Sequence, residues 1–568
     1  SLTLPVMAIN LNPEYLWDDE FGIYVEGNGK YGIPGNGRDD KVNWNNDWRR
    51  PMNVEFFPSE EEEAVINQLG ELRIAGGWSR AHAQKSLILY ANKRFGNKRY
   101  DYPLFSAKPD QEIKSFMIRN SGNDFGSTFF RDAAIQLFME NKADVDYQAY
   151  QPAILYINGE YFGIQNLRER SNEDFVFSNY DGLEDIDMIE KTSDGEELKA
   201  GDMNAYKELV RYLARESSEI DFDEIYDKVD IDEFINYMIL QIFIANTDFP
   251  HNNAVLWRPR EEGGKWRYIV KDTDFGLGLT EKPDHNTLDY NLSPAADRHR
   301  RLFVSLLTYQ PFYNEFCNRF AIYMGDFLSY DHTSQVIDSI QQMLEPEMAR
   351  HRNRWWGSRN LNPWYNEVNN MKDWCSKRNN FVYTHLQSRF NFAGLTPLYI
   401  ELPEDVNYAP GDLSMNGVNL YYSDFNGKYY WNQPLKVSWK GDPEKVQSWV
   451  VTDRVSGKVT HTTFHQNEFT YTVPANCTYL KFTAQKETTG IPTTGSPVAL
   501  NIIQIDRCLY ITDLEPDASV SVFTAAGKLV FHTGKSKGEA CITLNDPGVY
   551  IVSIRTADEV ISKKIVVY

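Results

Sequence analysis

One stretch, Asp230 to Leu279, constrains this chain more than any other. It opens with "DIDEFINYMILQIFIANTDFPHNN", in which Phe234, Ile235, Met238, Ile239, Ile242 and Phe243 recur at three- and four-residue spacing. That period predicts a helix with a wide apolar face, which must be covered by other elements. Pro250 lacks an amide hydrogen and restricts the residue before it, so the helix is expected to end near Thr247. A polar cluster follows: Asp248, His251, Asn252 and Asn253. Then "AVLWR" and "KWRYIV" read as two strands joined by the turn "EEGG", and the second strand delivers Asp272 and Asp274 at its end. Two acidic clusters therefore stand at the ends of buried elements and are brought together by a hairpin. Rigid elements presenting polar groups suit a metal-phosphate site.

The chemistry this suggests is phosphoryl transfer. Asp248 and Asn253 are five apart, the spacing between the base and the metal-binding amide of a kinase catalytic loop. Asp272 or Asp274 would then hold a divalent metal, which prefers hard oxygen ligands. Taken singly, the same residues also read as loop caps and turn hydrogen bonds. The "HRD" triplet is absent, and Asp248 follows "ANT". A haloacid-dehalogenase-type phosphatase, suggested by D-x-D after a strand, fails because the expected Thr is Gly276.

At 568 residues the chain is too long for one core, and two to four domains are expected. A hydrophobic content of 42% and an aromatic content of 14% describe a globular protein with large cores. The net charge of −22 argues against a nucleic-acid binder and fits neutral or basic partners. No apolar run reaches the roughly 18 residues of a membrane span. The chain opens on "SLTLPVMAIN" without an initiator Met or a signal peptide, as expected of a processed or trimmed chain. Cys317, Cys375, Cys477, Cys508 and Cys541 lack zinc-site spacing and form no disulfide framework. One bridge, Cys508 to Cys541, is compatible with their positions, and buried thiols are expected for the rest.

The first 60 residues read as short strands, "LPVMAINL", "GIYVEG" and "RRPMNVEFF". Next, "ELRIA" and "KSLILYA" flank a loop containing Gly76, Gly77, Ser79 and Arg80, with Lys85 opening the second strand. Small residues let backbone amides approach phosphate, and a lysine just beyond adds a point charge. An ordinary hairpin with a solvated lysine is the alternative. Arg119 ends another strand, and a helix start is signalled at Ser127-Thr128, with Arg131 on its first turns. Asn158-Gly159 marks a hairpin whose second strand ends in Leu167-Arg168-Glu169-Arg170. Glu169 among two arginines reads as a surface ion-pair cluster or, if it faces a cleft, as a partner of Lys85 or of a nucleotide.

Four blocks in order resemble the CotH kinase family, the spore-coat-protein-H-like atypical protein kinases. They are "GGWSRAHAQKSLILY", "NGEYFGIQNLRER", "NTDFPHNN" and "VKDTDFGLG", within about residues 1 to 395. The resemblance implies Asp248 as the catalytic Asp and Lys85 on the phosphates. It also implies Glu169 near the nucleotide and Asn253 and Asp272 on the metal, while Arg80 of the small-residue loop is a further candidate for binding the nucleotide. Asp272 is preferred to Asp274, which is kept as a second metal candidate. Gln165 stands where the family often has an aromatic residue, and Lys271 stands in place of Trp. Both departures bear on the adenine pocket.

The region 196 to 230 reads as acidic and partly helical, and residues 300 to 392 as helical, with the arginines of "RHRNRWW" covering the surface over packed Trp355 and Trp356. Near Gly394 the period changes to two, which reads as a β-sandwich over 396–506. Residues 507–568 form a smaller β unit resembling the C-terminal sorting domain of the type IX secretion system, notably in "VFTAAGKLV", "GVYIVSIRT" and "KKIVVY". That likeness implies export across an outer membrane through the secretion machinery.

The expected fold class is thus α+β: a two-lobed, atypical protein-kinase-like domain over 1–395, followed by two small all-β, Ig-like domains. The N-lobe would span about 1–180 and the helical C-lobe about 181–395. The resemblance implies a secreted or cell-surface Ser/Thr kinase, extracytoplasmic, using ATP with Mg or Mn on exported proteins. The acidic balance would steer basic acceptors to it. Two other readings use the same residues: a non-catalytic surface binding protein, and a metal-dependent phosphohydrolase.

Overall fold

Period-two alternation makes the first 168 residues a barrel. In the strand Arg50–Phe57, Met52, Val54 and Phe56 are buried while their neighbours are not. Seven strands close in the order Val6–Asn10, Arg50–Phe57, Ile66–Ala75, Ser86–Ala91, Ser115–Arg119, Glu160–Arg168 and Tyr150–Ile157. All neighbours are antiparallel except Val6–Asn10 with Tyr150–Ile157, which pair in parallel to complete the ring. Closure leaves no sheet edge exposed, and the interior is filled by residues such as Ile9, Leu72, Leu89, Phe116 and Phe162. The expected turn at Asn158-Gly159 forms with φ of 50° and 80°, as a two-residue hairpin loop requires.

This computed structural model describes residues 3–59, 63–109, 111–215, 217–293, 298–486, 501–505, 508–512, 514, 518–525, 527–533, 539–544, 546–555 and 560–567. Two local expectations change. "GIYVEG" is not a strand: the amides of Ile23 and Tyr24 donate to the carbonyls of Tyr15 and Leu16, folding the segment onto the short helix Glu14–Trp17. The helix signalled at Ser127-Thr128 begins instead at Arg131. Buried Asp124 accepts from Thr128 N, Thr128 Oγ1 and Arg131 N, so the cap signal is spent on the turn before the helix.

The apolar helix runs from Ile231 to Phe243, capped by Asp230, whose Oδ1 accepts from Glu233 N at 3.3 Å. It is buried on nearly every side. It stops before the expected Thr247 because the fully buried Arg378, from the helix Asn362–Arg389, claims its last carbonyls. Arg378 Nη2 donates to Ile242 O and Nε to Phe243 O, both at 2.7 Å, and Nη1 donates to Pro283 O and His285 O, also at 2.7 Å. Burial pulls this guanidinium's pKa down to about 9, yet every acceptor it meets is a carbonyl or hydroxyl oxygen. The expected hairpin follows: Ala254–Pro259 pairs with Arg267–Ile269, and Ile186–Thr192 and Gly195–Ala200 extend the sheet to four strands. Residues 195–200 are thus a strand, while 204–213 and 222–228 are helical as read.

The helices Thr287–Leu292, Arg298–Leu306, Gln310–Gly325, Tyr330–Trp356 and Asn362–Arg389 complete a mixed α/β unit, with eleven α-helices among the described residues. The long helix Tyr330–Trp356 is tied to the barrel where Ile164 N donates to His351 Nδ1 at 2.9 Å. Nine strands between Leu395 and Gln485 then form two sheets of five and four strands, with Trp449, Phe469 and Phe482 between them. Their core is continuous with that of the helices. Gly325 shows how close the approach is, because a Cβ there would meet the Phe425 ring at 2.3 Å.

Residues 1–487 form one compact unit and 488–568 a second. The second has a three-stranded sheet, Asn501–Ile505, Cys508–Thr512 and Glu539–Thr543. Its other sheet has four strands, Leu529–Thr533, Ser519–Thr524, Gly548–Arg555 and Val560–Val567. Asn501–Ile505 pairs with Cys508–Thr512, so the boundary read at 506/507 moves N-terminally. The Cys508–Cys541 bridge does not form: Cys508 faces Thr543, Cys541 faces Tyr510, and both are free thiols.

Two expectations follow from the packing. Arg378→Met strands several buried carbonyls and should lower stability by on the order of 3 kcal/mol, measured as a lower urea midpoint by tryptophan fluorescence. The second concerns Asp326, which accepts from Tyr421 N at 2.7 Å and Tyr422 N at 3.0 Å. Burial pushes its pKa up to about 6 against these two amides. His332 stacks on Tyr422 at 3.5 Å; burial lowers its pKa, but the bond to Asp424 and the Asp326 carbonyl outweigh burial and raise it. Both groups hold protons more tightly folded than unfolded, so both contribute stability at low pH that is lost as pH rises. Asp326 loses its share between about 4 and 6, and His332 above about 6.5. Hydrogen-exchange protection of the Tyr421 and Tyr422 amides, corrected for intrinsic rate, should fall from pH 5 to 8, and His332→Gln should flatten the upper part.

Candidate functional site

A cleft of about 1110 Å³ lies between the barrel mouth, the four-stranded sheet and the loop after the apolar helix. Gly76, Gly77, Ser79 and Arg80 line one side, Glu190 and Lys199 another, and Asp248, Asn252, Asn253 and Asp272 the wall between them. The strand Ser115–Arg119 turns Phe116 and Ile118 into the barrel core and Met117 and Arg119 toward the cleft.

Asp248 is held in a ring of amides. Its Oδ2 accepts from Asn253 Nδ2 at 2.8 Å, both carboxylate oxygens lie 3.2 Å from Asn252 Nδ2, and its own N–H donates to Asn246 Oδ1 at 3.0 Å. Burial raises its pKa, the two asparagines oppose that, and the nearby Asp272 charge adds to the rise. Asn253 and Asp272 both adopt positive φ, 54° and 49°, a conformation that Asn and Asp tolerate better than other side chains.

Beneath this wall runs a chain of alternating charge. Arg119 Nη2 pairs with Asp272 and lies 3.3 Å from Asp274 Oδ2, which also accepts from Asn123 N at 2.8 Å. Asp132, at the start of the helix Arg131–Met139, accepts from Thr273 N at 2.9 Å and Thr273 Oγ1 at 2.8 Å, and meets Arg168 Nη2 at 3.1 Å. Burial and the Asp272 charge drive the pKa of Asp274 well up, with Arg119 opposing. Asp132 shifts the other way: burial raises it, but Arg168 and Arg119 prevail and hold it well below the carboxylate range. Gly122, at φ 56°, is required here, because a Cβ would meet Asp274 Oδ2 at 2.6 Å and Arg119 Nη2 at 2.9 Å.

Asp248, Asn253 and Asp272 therefore share the cleft wall, with Arg80 across from them. Of the two carboxylates left open by the sequence, Asp272 borders the cleft, while Asp274 is 1% exposed and lies behind it. Arg80 is largely occupied: it donates to Gly76 O, Trp44 O and Asn45 O and pairs with Asp47 at 2.7 Å. Lys85 and Glu169 lie away from this wall. Lys85 Nζ donates to Arg80 O at 2.6 Å and His82 O at 3.0 Å and sits 4.0 Å over the Trp44 ring, in a separate aromatic pocket. Burial pulls its pKa down to about 8. Glu169 is buried against Lys108 and Gln111, accepts from Ala149 N at 2.7 Å and makes no contact with Lys85. Neither the solvated lysine nor the surface ion-pair cluster of the alternative readings is found. Gln165 is buried, donating to Lys85 O at 3.2 Å, and Lys271 lines the cleft paired with Glu190, which Lys199 also meets at 2.8 Å.

The sequence marks Arg119 only as a strand end and gives no signal for Glu190 and Lys199 at the cleft or for Asp132 and Arg168 beneath its wall. Alternation in "SFMIR" was the available signal for Arg119, since it shares a face with Met117. The oxygens of Asp248, Asp272 and Asn253 are hard donors of the kind Mg and Mn accept. Among the described residues no three His, Cys, Asp or Glu side chains converge as a preformed metal cage. An open set of carboxylate and amide oxygens suits Mg, which is bound by one or two carboxylates plus substrate phosphates.

No curated protein matches this chain. Among solved structures, a segment of two fibronectin type-III domains from chicken tenascin aligns at 16% identity, covering 28% of this chain and 98% of that one, with a TM-score of 0.11. That score is too low to bear on the fold. The family model described as CotH kinase protein matches residues 72–382, more than half of the chain and the whole of the cleft wall from Arg119 to Asp272. On that match, the chain belongs to the CotH kinase protein family.

Proposed function

We propose that this protein is an extracytoplasmic CotH-like protein kinase that transfers the γ-phosphoryl group of ATP to Ser or Thr of exported proteins. The observation that carries the reading is the meeting of Asp248, Asn253 and Asp272 on one cleft wall, from segments separated in sequence by a hairpin. Barrel and helical layers on either side of the cleft would serve as the two lobes. Asp272 and Asn253 would hold a divalent metal. Mg or Mn bound there would supply charge neutralisation for the transferring phosphoryl group. Asp248 would orient the acceptor hydroxyl and take its proton; the loose transition state asks for little base strength. In this reading the phosphate charge falls to cations that border the cleft, Arg119 and Lys271 above all, rather than to Lys85. Lys85 instead supports the end of the Gly76–Arg80 loop by bonding Arg80 O, and His82 O just beyond it. The β unit after residue 487, with its sorting-domain likeness, supports export.

A second reading, a non-catalytic binding protein, draws on Arg119, which already neutralises Asp272 and Asp274. The two readings part in a melting experiment. ATP with Mg at a hundred-fold excess over its dissociation constant should add about 2.7 kcal/mol of stability, and Asp272→Asn should abolish the metal-dependent part. Full Mg-dependent stabilisation of that variant would remove Asp272 from the metal site. Asp248→Ala should keep nucleotide binding but lose roughly 100-fold or more in labelling of a Ser-containing, Lys/Arg-rich peptide. Labelling at the wild-type rate would show that Asp248 is not the catalytic residue, and no labelling by the unaltered protein would favour the second reading. Deleting 488–568 should leave nucleotide binding unchanged and hold the protein inside the secreting cell; normal export would refute the sorting role.

A further inference from the structure

At the seam between the helix Gln310–Gly325 and the turn joining Phe425–Tyr430 to Pro434–Trp439 lies a cavity of about 330 Å³. None of its lining residues borders the cleft described above. Its composition is unusual for this chain. Charged residues make up 24% of the sequence, but no charged side chain is among the described residues that line this cavity. Five carboxamides line it instead: Gln310, Asn314, Asn318, Asn416 and Gln433. Each carboxamide carries a donor group and an acceptor, the combination that complements a ligand hydroxyl, itself donor and acceptor.

The remaining wall is aromatic. Tyr313 and Phe392 stack with ring centroids 6.4 Å apart, and Phe392 and Tyr430 at 3.9 Å with 22° between planes. Gln310 and Asn314 lie exposed at the rim, joined by a 2.7 Å bond, while Tyr429 and Tyr430 are buried. The wall is also fixed in place. Asn416 Nδ2 donates to Tyr429 Oη at 2.7 Å and to Asn318 Oδ1 at 3.2 Å, and Tyr429 Oη donates to the same Asn318 oxygen. Tyr430, 1% exposed, backs the Phe392 ring from the core side, so the open part of the aromatic wall is the half-buried pair Tyr313 and Phe392.

We propose that this cavity binds an uncharged sugar ring, either free or as a unit of a longer glycan. The C–H faces of the ring would lie against the half-buried rings of Tyr313 and Phe392, and its hydroxyls would meet the carboxamides. The volume falls in the range of small-ligand sites. A charged ligand would lose its hydration here without gaining a counter-ion, so uronic acids and charged peptides are excluded by the same argument.

The full-length protein would be titrated calorimetrically with cellobiose, maltose, chitobiose and digalacturonate, and sedimented with insoluble cellulose and chitin. At least one neutral disaccharide or polymer should bind and digalacturonate should not. Binding of a disaccharide identifies a free sugar or chain end as sufficient, while binding of polymer alone identifies a longer glycan. Gln433→Leu and Gln310→Leu should each weaken that binding about tenfold without changing the melting temperature or its response to ATP and Mg. Absence of binding to every neutral sugar and polymer would overturn the proposal, as would equal binding of digalacturonate or retention of full affinity by both variants. Because the readout does not involve the cleft, failure of the kinase reading leaves this test intact.

Discussion

The arrangement of the cleft depends on one set of opposed charges: Arg119 between Asp272, Asp274 and Asp132, with Arg168 behind Asp132. These five residues come from two barrel strands, one helix and the loop after a hairpin strand. Removing one partner of a buried pair leaves the other uncompensated, which costs about 3–5 kcal/mol. The barrel mouth, the helix Arg131–Met139 and the Asp272 loop are therefore locked to each other by charge, not by apolar packing alone. The same set sets the electrostatics of the wall, because it leaves Asp272 at the cleft and draws Asp274 inward.

The loop that carries Asp248 is fixed from the other side. Arg378 takes the last carbonyls of the apolar helix and those of Pro283 and His285, closing the helix shortly before Asp248. Tyr290 Oη adds a bond to Thr247 O at 3.0 Å. A polar loop at the end of a helix this deeply buried has few ways to satisfy its backbone, and these donors from neighbouring helices supply them. The carboxylate of Asp248 is thereby held on a rigid support, as a site that must position reacting groups requires.

The cleft and the carboxamide-lined cavity follow opposite designs. The first concentrates charge of both signs and suits an anionic ligand with a metal. The second excludes charge and offers paired donors and acceptors over aromatic rings. Both lie within residues 1–487, whose helical and sandwich cores are continuous.

Local physics fixed much of this protein in its sequence. The period of 3.6 in 231–243, the alternation in 50–57 and after residue 394, and Asn158-Gly159 each specify an element from nearest-neighbour sterics and burial of one face. The spacing of Asp248, Asn253 and Asp272 on either side of a hairpin was enough to forecast that they meet, because a short hairpin leaves its ends no other place to go. Tertiary structure decided what depends on contacts far apart in the chain. The helix stops early because Arg378, 135 residues away from Phe243, reaches it. Lys85 turns toward Trp44 and the loop carbonyls because the barrel encloses it, and Glu169 is drawn to Lys108, 61 residues distant. Arg119 becomes the centre of the site through partners 153 and 155 residues on. A side chain's pattern tells which face it occupies, but only closure of the fold tells which opposite charge will stand there.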